Sequence, residues 1–320
     1  MAAGKEKELK KRIKSVQSTK KITKAMEMIA ASRIVKAEQR VSAARPYSEQ
    51  ITEVIRRLAT EGVDVDHPLL KEPEQVGKVA FIAITGDRGL AGAYNSSVIR
   101  ATERAMNEEQ SKGRDYSLVL LGKKAESYFR FKGYRIDASF SGMSEQPSYE
   151  DAKEVAAAVI EPFEEGDVDL VQLAYTQFLS AGRQRVAVRQ FMPLDTEALT
   201  EGADDDDQAE YEFEPAPAEI LERLLPRYVE ARLFAAMLEA AASEHAARQR
   251  AMKSATENAE EMITTLSREM NRARQETITT EIMEIVGGAE ALRQKKGSPE
   301  DLLPDILVAS DFLPDDLVQR

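Results

Sequence analysis

The chain contains no cysteine and no tryptophan, only two histidines in 320 residues, and few aromatic side chains. Without cysteine there are no disulfides and no thiolate metal sites, and an intracellular setting is the simplest expectation. His67 and His245 stand far apart in sequence, which argues against a histidine-built metal centre or catalytic triad. No apolar run approaches the roughly 20 residues that a bilayer-crossing helix requires. The N-terminus opens into charged sequence without the apolar core of a signal peptide. Proline and glycine are also scarce at both ends. From Lys5 to Leu58 the only breaker is Pro46, and from Ala218 to Leu292 only Pro226 and Gly287–Gly288 interrupt.

Those breaker-free ends are expected to be long helices. Ala37, Val41, Ala44, Ser48, Ile51, Ile55 and Leu58 recur at steps of four and three, a seam of period 3.5. Pro46 falls inside it and is expected to kink the helix. Leu9, Ile13 and Val16 keep the rhythm, and Lys20 and Thr23 break it. Toward the other end Ala255, Ala259, Met262 and Leu266 repeat the pattern, as do Ile278, Ile282, Ile285, Ala289 and Leu292. About 75 helical residues would extend about 110 Å, too long for a small domain to bury. The alanines between Ala235 and Ala251 favour helix and let two backbones approach closely.

The middle alternates strand and helix. Lys78–Thr85 reads as a buried strand, followed by a glycine turn and a helix at 96–111. Tyr116–Leu121 is a second strand, 123–132 a helix, and 134–140 a third strand. A helix at 149–164 leads to a strand at 169–178, a turn at 180–183 and a returning strand at 185–191. The expected fold is α/β: an antiparallel two-helix coiled coil from the terminal segments plus a central Rossmann-like domain with one antiparallel edge. The expected divisions are 1–60, 76–195, an acidic loop 196–217, 218–293 and an extension 297–320.

Charge is unevenly placed. Residues 1–45 hold 13 Lys/Arg against 4 Asp/Glu, a surplus of nine, so the rest carries −21 of the overall −12. A basic arm suits an acidic protein, anionic lipid or nucleic acid. Nucleic acid is disfavoured because no aromatic stacking platform appears before Tyr47. Met26, Met28 and Ile29 lie beside Lys20, Lys21 and Lys24, which makes either core or an oily bearing flanked by positive charge. Asp204–Asp207 could attract a cation, although a solvated loop is the plainer reading.

The sharpest local motif is TGDRGLAGAYN, 85–95. Gly86, Gly89 and Gly92 follow a strand and open a helix, where amides could cradle a phosphate. The motif has neither the Walker lysine nor the dinucleotide spacing. A structural turn is therefore preferred, in which Asp87 and Arg88 could pair.

Three stretches carry a resemblance: KSVQSTKKITKAMEMIAASRIVKA, TGDRGLAGAYN and ARQETITTEIMEIVGGAEAL, together with ASEHAARQRAMKSATENAEE. In order and spacing, from about residue 5 to 293, they resemble the gamma subunit of bacterial F-type ATP synthases. The resemblance implies a shaft without catalytic site, cofactor or metal, present once per complex. It would turn inside a hexamer of alpha and beta subunits, with its α/β domain against the epsilon subunit and the membrane c-ring, on the cytoplasmic face of the plasma membrane. It would couple proton flow to ATP synthesis or hydrolysis. It further implies that Lys20, Lys21, Lys24 and Met26 lie near the beta subunits' acidic lever loops. Arg274, Gln275 and Thr279 match positions that touch the catalytic ring, and Arg248 another contact position. The family usually ends near Leu292, so 297–320 is an addition. It is either a disordered tail or a brake docking near the top of the ring. The competing readings are a nucleotide-binding α/β enzyme dimerised by its arms and a static coiled-coil scaffold.

Overall fold

A computed structural model describes residues 2–60, 67–194 and 215–295. The Asp204–Asp207 run and the 297–320 extension lie outside the described residues. Two compact units are present, one of Met1–Lys20 with Glu257–Arg320 and one of Lys21–Thr256. Helices α1 (Ala2–Thr60) and α5 (Pro217–Lys295) contribute to both.

In the first unit α1 and α5 pack antiparallel. Leu9 and Ile13 are buried against Leu266 and Ala273, with Val16, Ile263 and Met270 beside them. Lys20 pairs with Glu260 at 2.7 Å. The α5 seam here is Ala259, Ile263, Leu266, Met270 and Ala273, steps of four and three. Ile263 occupies the place expected for Met262, which is 46% exposed. The expected continuation through Ile278, Ile282, Ile285 and Leu292 is exposed instead, as are Met283 and Val286. No described residue covers that face.

The second unit is a three-layer α/β/α sandwich. Strands β1 (Lys78–Ile84), β2 (Asp115–Leu121), β3 (Ala138–Phe140), β4 (Leu170–Ser180) and β5 (Arg183–Met192) form one sheet. Their order is β3-β2-β1-β4-β5. All neighbours are parallel except β4–β5, an antiparallel hairpin. Strand β1 is apolar on both faces because helices cover both. On one face α2 (Tyr94–Ser111) and α3 (Lys123–Phe131) cover Val79, Phe81, Leu118 and Leu120. On the other, α4 (Tyr149–Glu164) joins Ile51, Ile55 and Leu58 of α1 and Leu221 to Ala240 of α5 over Ile82, Leu173 and Tyr175. The Ser148–Asp151 capping box starts α4.

Several details differ from expectation. Pro226 and Gly287–Gly288 do not interrupt α5, and α1 runs on through Pro46. Pro226 sits beside buried Leu225, Tyr228 and Val229, whose packing offsets one lost backbone bond. Thr23 does not break the seam either. Its hydroxyl lies 2.8 Å from that of Thr256 in a buried pair, so a polar rung replaces an apolar one. The third strand is three residues long, because only 138–140 finds a β2 partner.

Candidate functional site

The glycine turn after β1 is held by side chains bonding to backbone. The Thr85 hydroxyl donates to the Leu121 carbonyl at 2.9 Å and accepts from the Ala125 amide at 3.1 Å. The Gly86 amide donates to Asn95 Oδ1 at 2.7 Å, and the Asp87 amide to Ser144 Oγ at 3.0 Å. Asp87 itself accepts from the amides of Lys123 and Gly142 at 3.2 and 2.9 Å. The expected Asp87–Arg88 pairing is therefore corrected. Backbone amides of Lys123, Gly142 and Ser144 hold the Asp87 carboxylate, and Arg88 lies 3.7 Å from Glu145 instead. Gly92 has φ +58, a conformation that suits glycine, and the exposed Leu90 shares that region at φ +62. Gly89 has ordinary room for a methyl group, so no steric need fixes it.

Gly86 is fixed by what lies opposite. A Cβ there would sit 2.8 Å from the Glu244 carboxylate of α5. This point is the sheet's topological switch, where β1 neighbours β2 on one side and β4 on the other. In open α/β sheets that crevice usually takes the ligand. Here α5 brings its own carboxylate against the turn, and Gly86 and Asp87 have already spent their amides on Asn95 of α2 and Ser144 of the β3–α4 loop.

Glu244 is fully buried and bonds Arg248 at 2.5 Å, one helical turn on. The Arg248 guanidinium also lies 3.5 Å from Glu145, which in turn pairs with Arg33 of α1. His245, 2% exposed, places Nε2 3.4 Å from the Glu145 carbonyl. Burial pushes the Glu244 carboxyl up, with the Arg248 charge and hydrogen bond opposing. Burial also holds the His245 imidazole below its ordinary value. Tyr94, whose hydroxyl donates to the Ala240 carbonyl at 3.1 Å, is raised well above the usual phenol range, first by burial and then by Glu244. The network joins α1, the β1–α2 turn, the β3–α4 loop and α5. Sequence reading missed Glu145, Glu244 and Arg33. The one legible signal was the i, i+4 Glu–Arg pair inside an alanine run.

The other candidate residues fall into two groups. Met26 lines a cavity of about 340 Å³ with Ile29, Leu90 and Arg248. Met28 and Ile29 are 65% and 55% exposed, beside exposed Lys21 and Lys24. Met28 and Ile29 therefore stand outside this chain's core, while Met26 is half-buried. Lys24 pairs with Glu27 at 3.1 Å. Arg248 is buried among the chain's own residues. Arg274, Gln275 and Thr279 are exposed on α5. No cluster of metal-ligating side chains occurs among the described residues, and no described helix is long and apolar enough to cross a membrane.

The family model described as ATP synthase matches residues 5–292. The ATP synthase gamma chain of Frankia casuarinae is 50% identical over 294 residues, covering 91% of this chain and 98% of that one. That of Streptomyces coelicolor is 46% identical over 289 residues, covering 88% and 94%. Among solved structures, a chain of the Euglena gracilis mitochondrial ATP synthase in rotational state 3 aligns with TM-score 0.65 at 19% identity, covering 92% of this chain and 97% of that one. A chain of the Tetrahymena thermophila mitochondrial ATP synthase central stalk and c-ring aligns at 0.55 and 23%, covering 73% and 99%. At these identities the structural likeness shows the fold.

Proposed function

Because the chain belongs to the ATP synthase gamma-chain family, we propose that it is the central shaft of a bacterial ATP synthase, turning within an alpha/beta hexamer. Torque from the c-ring would enter through the α/β unit, beside an epsilon subunit, and leave through the helix pair. The coupling ion is taken to be the proton, and the complex to sit on the cytoplasmic face of the plasma membrane. The observation that carries this reading is the end of α5. Ile278, Ile282, Met283, Ile285 and Val286 stand exposed on a helix that has no described partner there. Such a face fits a sleeve provided by other subunits.

The chain itself would make no bonds. Glu244 against Gly86, with the Gly86 and Asp87 amides bonded to Asn95 and Ser144, supports a turn whose first residues are closed to a nucleotide phosphate. Lys20, Lys21, Lys24 and Met26 would meet acidic levers of the beta subunits. Exposed pairs of this kind contribute only about 0–1 kcal/mol each, which suits contacts that must release on every turn. Arg274, Gln275 and Thr279 would touch the ring higher up. Arg248 would act from within, by holding the network that braces α5 against the turn. If 297–320 brakes rotation, deleting it raises ATP hydrolysis by the complex, and an unchanged rate removes the idea.

Co-expression with alpha and beta subunits tests the proposal. A complex that hydrolyses ATP at full rate only when this chain is present supports it. The same rate without the chain overturns it. A disulfide engineered between the Met26 neighbourhood and a beta subunit separates shaft from static scaffold. A shaft stalls and recovers on reduction, whereas a scaffold is indifferent.

A further inference from the structure

A cavity of about 380 Å³ lies between α1, α5 and the β3–α4 loop, apart from the switch point. Arg33, Lys36 and Arg40 line it from one face of α1, at i, i+3 and i+7. Two of the three are held in place. Arg33 is drawn to Glu145, and Arg40 donates to the Pro147 carbonyl. Lys36 is exposed. Among the described residues the only carboxylate on the lining is Glu145, already shared with Arg248 at 3.5 Å and Arg88 at 3.7 Å. It therefore cannot neutralise the whole wall. Opposite the cations, Ala241 and Leu238 leave room. His245 closes the end, buried, with Nδ1 lacking a hydrogen-bond partner.

We propose that this cavity binds a phosphate-sized oxyanion. Two fixed guanidinium groups offer planar forks of donors, and an ammonium on a flexible stem completes the charge. The excess of positive charge at a walled concavity concentrates anions there. The inference stands independently of the shaft reading.

The experiment is calorimetric titration of the full-length chain with inorganic phosphate, at ionic strength held constant with chloride. Saturable binding of one phosphate per chain is expected. Lys36→Ala and Arg40→Ala should each weaken it tenfold or more, and Arg104→Ala, on the exposed face of α2, should leave it unchanged. Because Lys36 is exposed, its variant should fold, and circular dichroism checks this. ADP titrated in parallel distinguishes a free ion from a phosphate carried on a nucleotide. Affinity equal to or above that of phosphate, lost in the same two variants, identifies the nucleotide as source. Absence of saturable heat with either anion, or equal weakening in Arg104→Ala, overturns the proposal.

Discussion

Replacing Arg248 by alanine puts the internal network to its most direct test. Glu244 is fully buried, and Arg248 supplies both its nearest opposite charge and its hydrogen bond at 2.5 Å. Removing one partner of a buried pair leaves an uncompensated charge and costs about 3–5 kcal/mol. Glu145 suffers less, because Arg33 still pairs with it. The loss should depend on pH with a definite sign. Burial raises the Glu244 carboxyl above its ordinary value of 4.5. The native state therefore holds that proton more tightly than the unfolded chain. The penalty for a buried carboxylate is absent below the unfolded value and grows as pH rises through the folded one. Without Arg248 the folded value moves further up. The variant's deficit should thus be largest near pH 8 and shrink toward pH 5. Urea denaturation followed by circular dichroism at both pH values measures it. Adding Glu244→Gln should restore most of the loss at pH 8, since an amide carries no charge to strand. A deficit under about 1 kcal/mol, identical at both pH values and untouched by the second substitution, would refute the reasoning.

Two further outcomes are expected. Gly122 has φ +91, and a Cβ there would lie 2.2 Å from the Thr85 carbonyl oxygen. Gly122→Ala should therefore destabilise by about 2–5 kcal/mol, strain and backbone collision together; an unchanged melting curve would contradict this. Thr23→Val removes the rung to Thr256 and should cost about 1 kcal/mol. The Thr23→Val, Thr256→Val double variant should lie closer to wild type than the sum of the singles, and strict additivity in a denaturation cycle would deny the pair any coupling.

Much of the fold was legible because local chemistry and tertiary demand agree. The apolar run of β1 says that both faces are covered. Ser148 and Asp151 mark the start of α4 before packing is considered, and α4 spans the expected 149–164. The β4–β5 hairpin follows from SAGR and its flanking strands. The α5 seam was legible in period but not in phase, since Met262 and Ile263 are equally apolar and only the partner helix decides which turns inward. The inner network was largely hidden. Arg33, Glu145 and Arg248 are separated by about a hundred residues at each step, and no pattern within one segment announces that they meet. The Asp87–Arg88 pairing failed for a related reason. Adjacent charges look like partners in sequence, but the carboxylate is claimed by amides from two other loops. The functional reading came from the family resemblance, with composition and periodicity consistent with it.

The oily tip of α5 bears on how such a protein must be manufactured. A chain synthesised in excess of the subunits that sheathe it would carry uncovered isoleucines, a methionine and a valine into the solvent, where they invite self-association and proteolysis. Stable accumulation would then track the supply of companion chains, and balanced translation would be a physical requirement of the molecule rather than an economy of the cell.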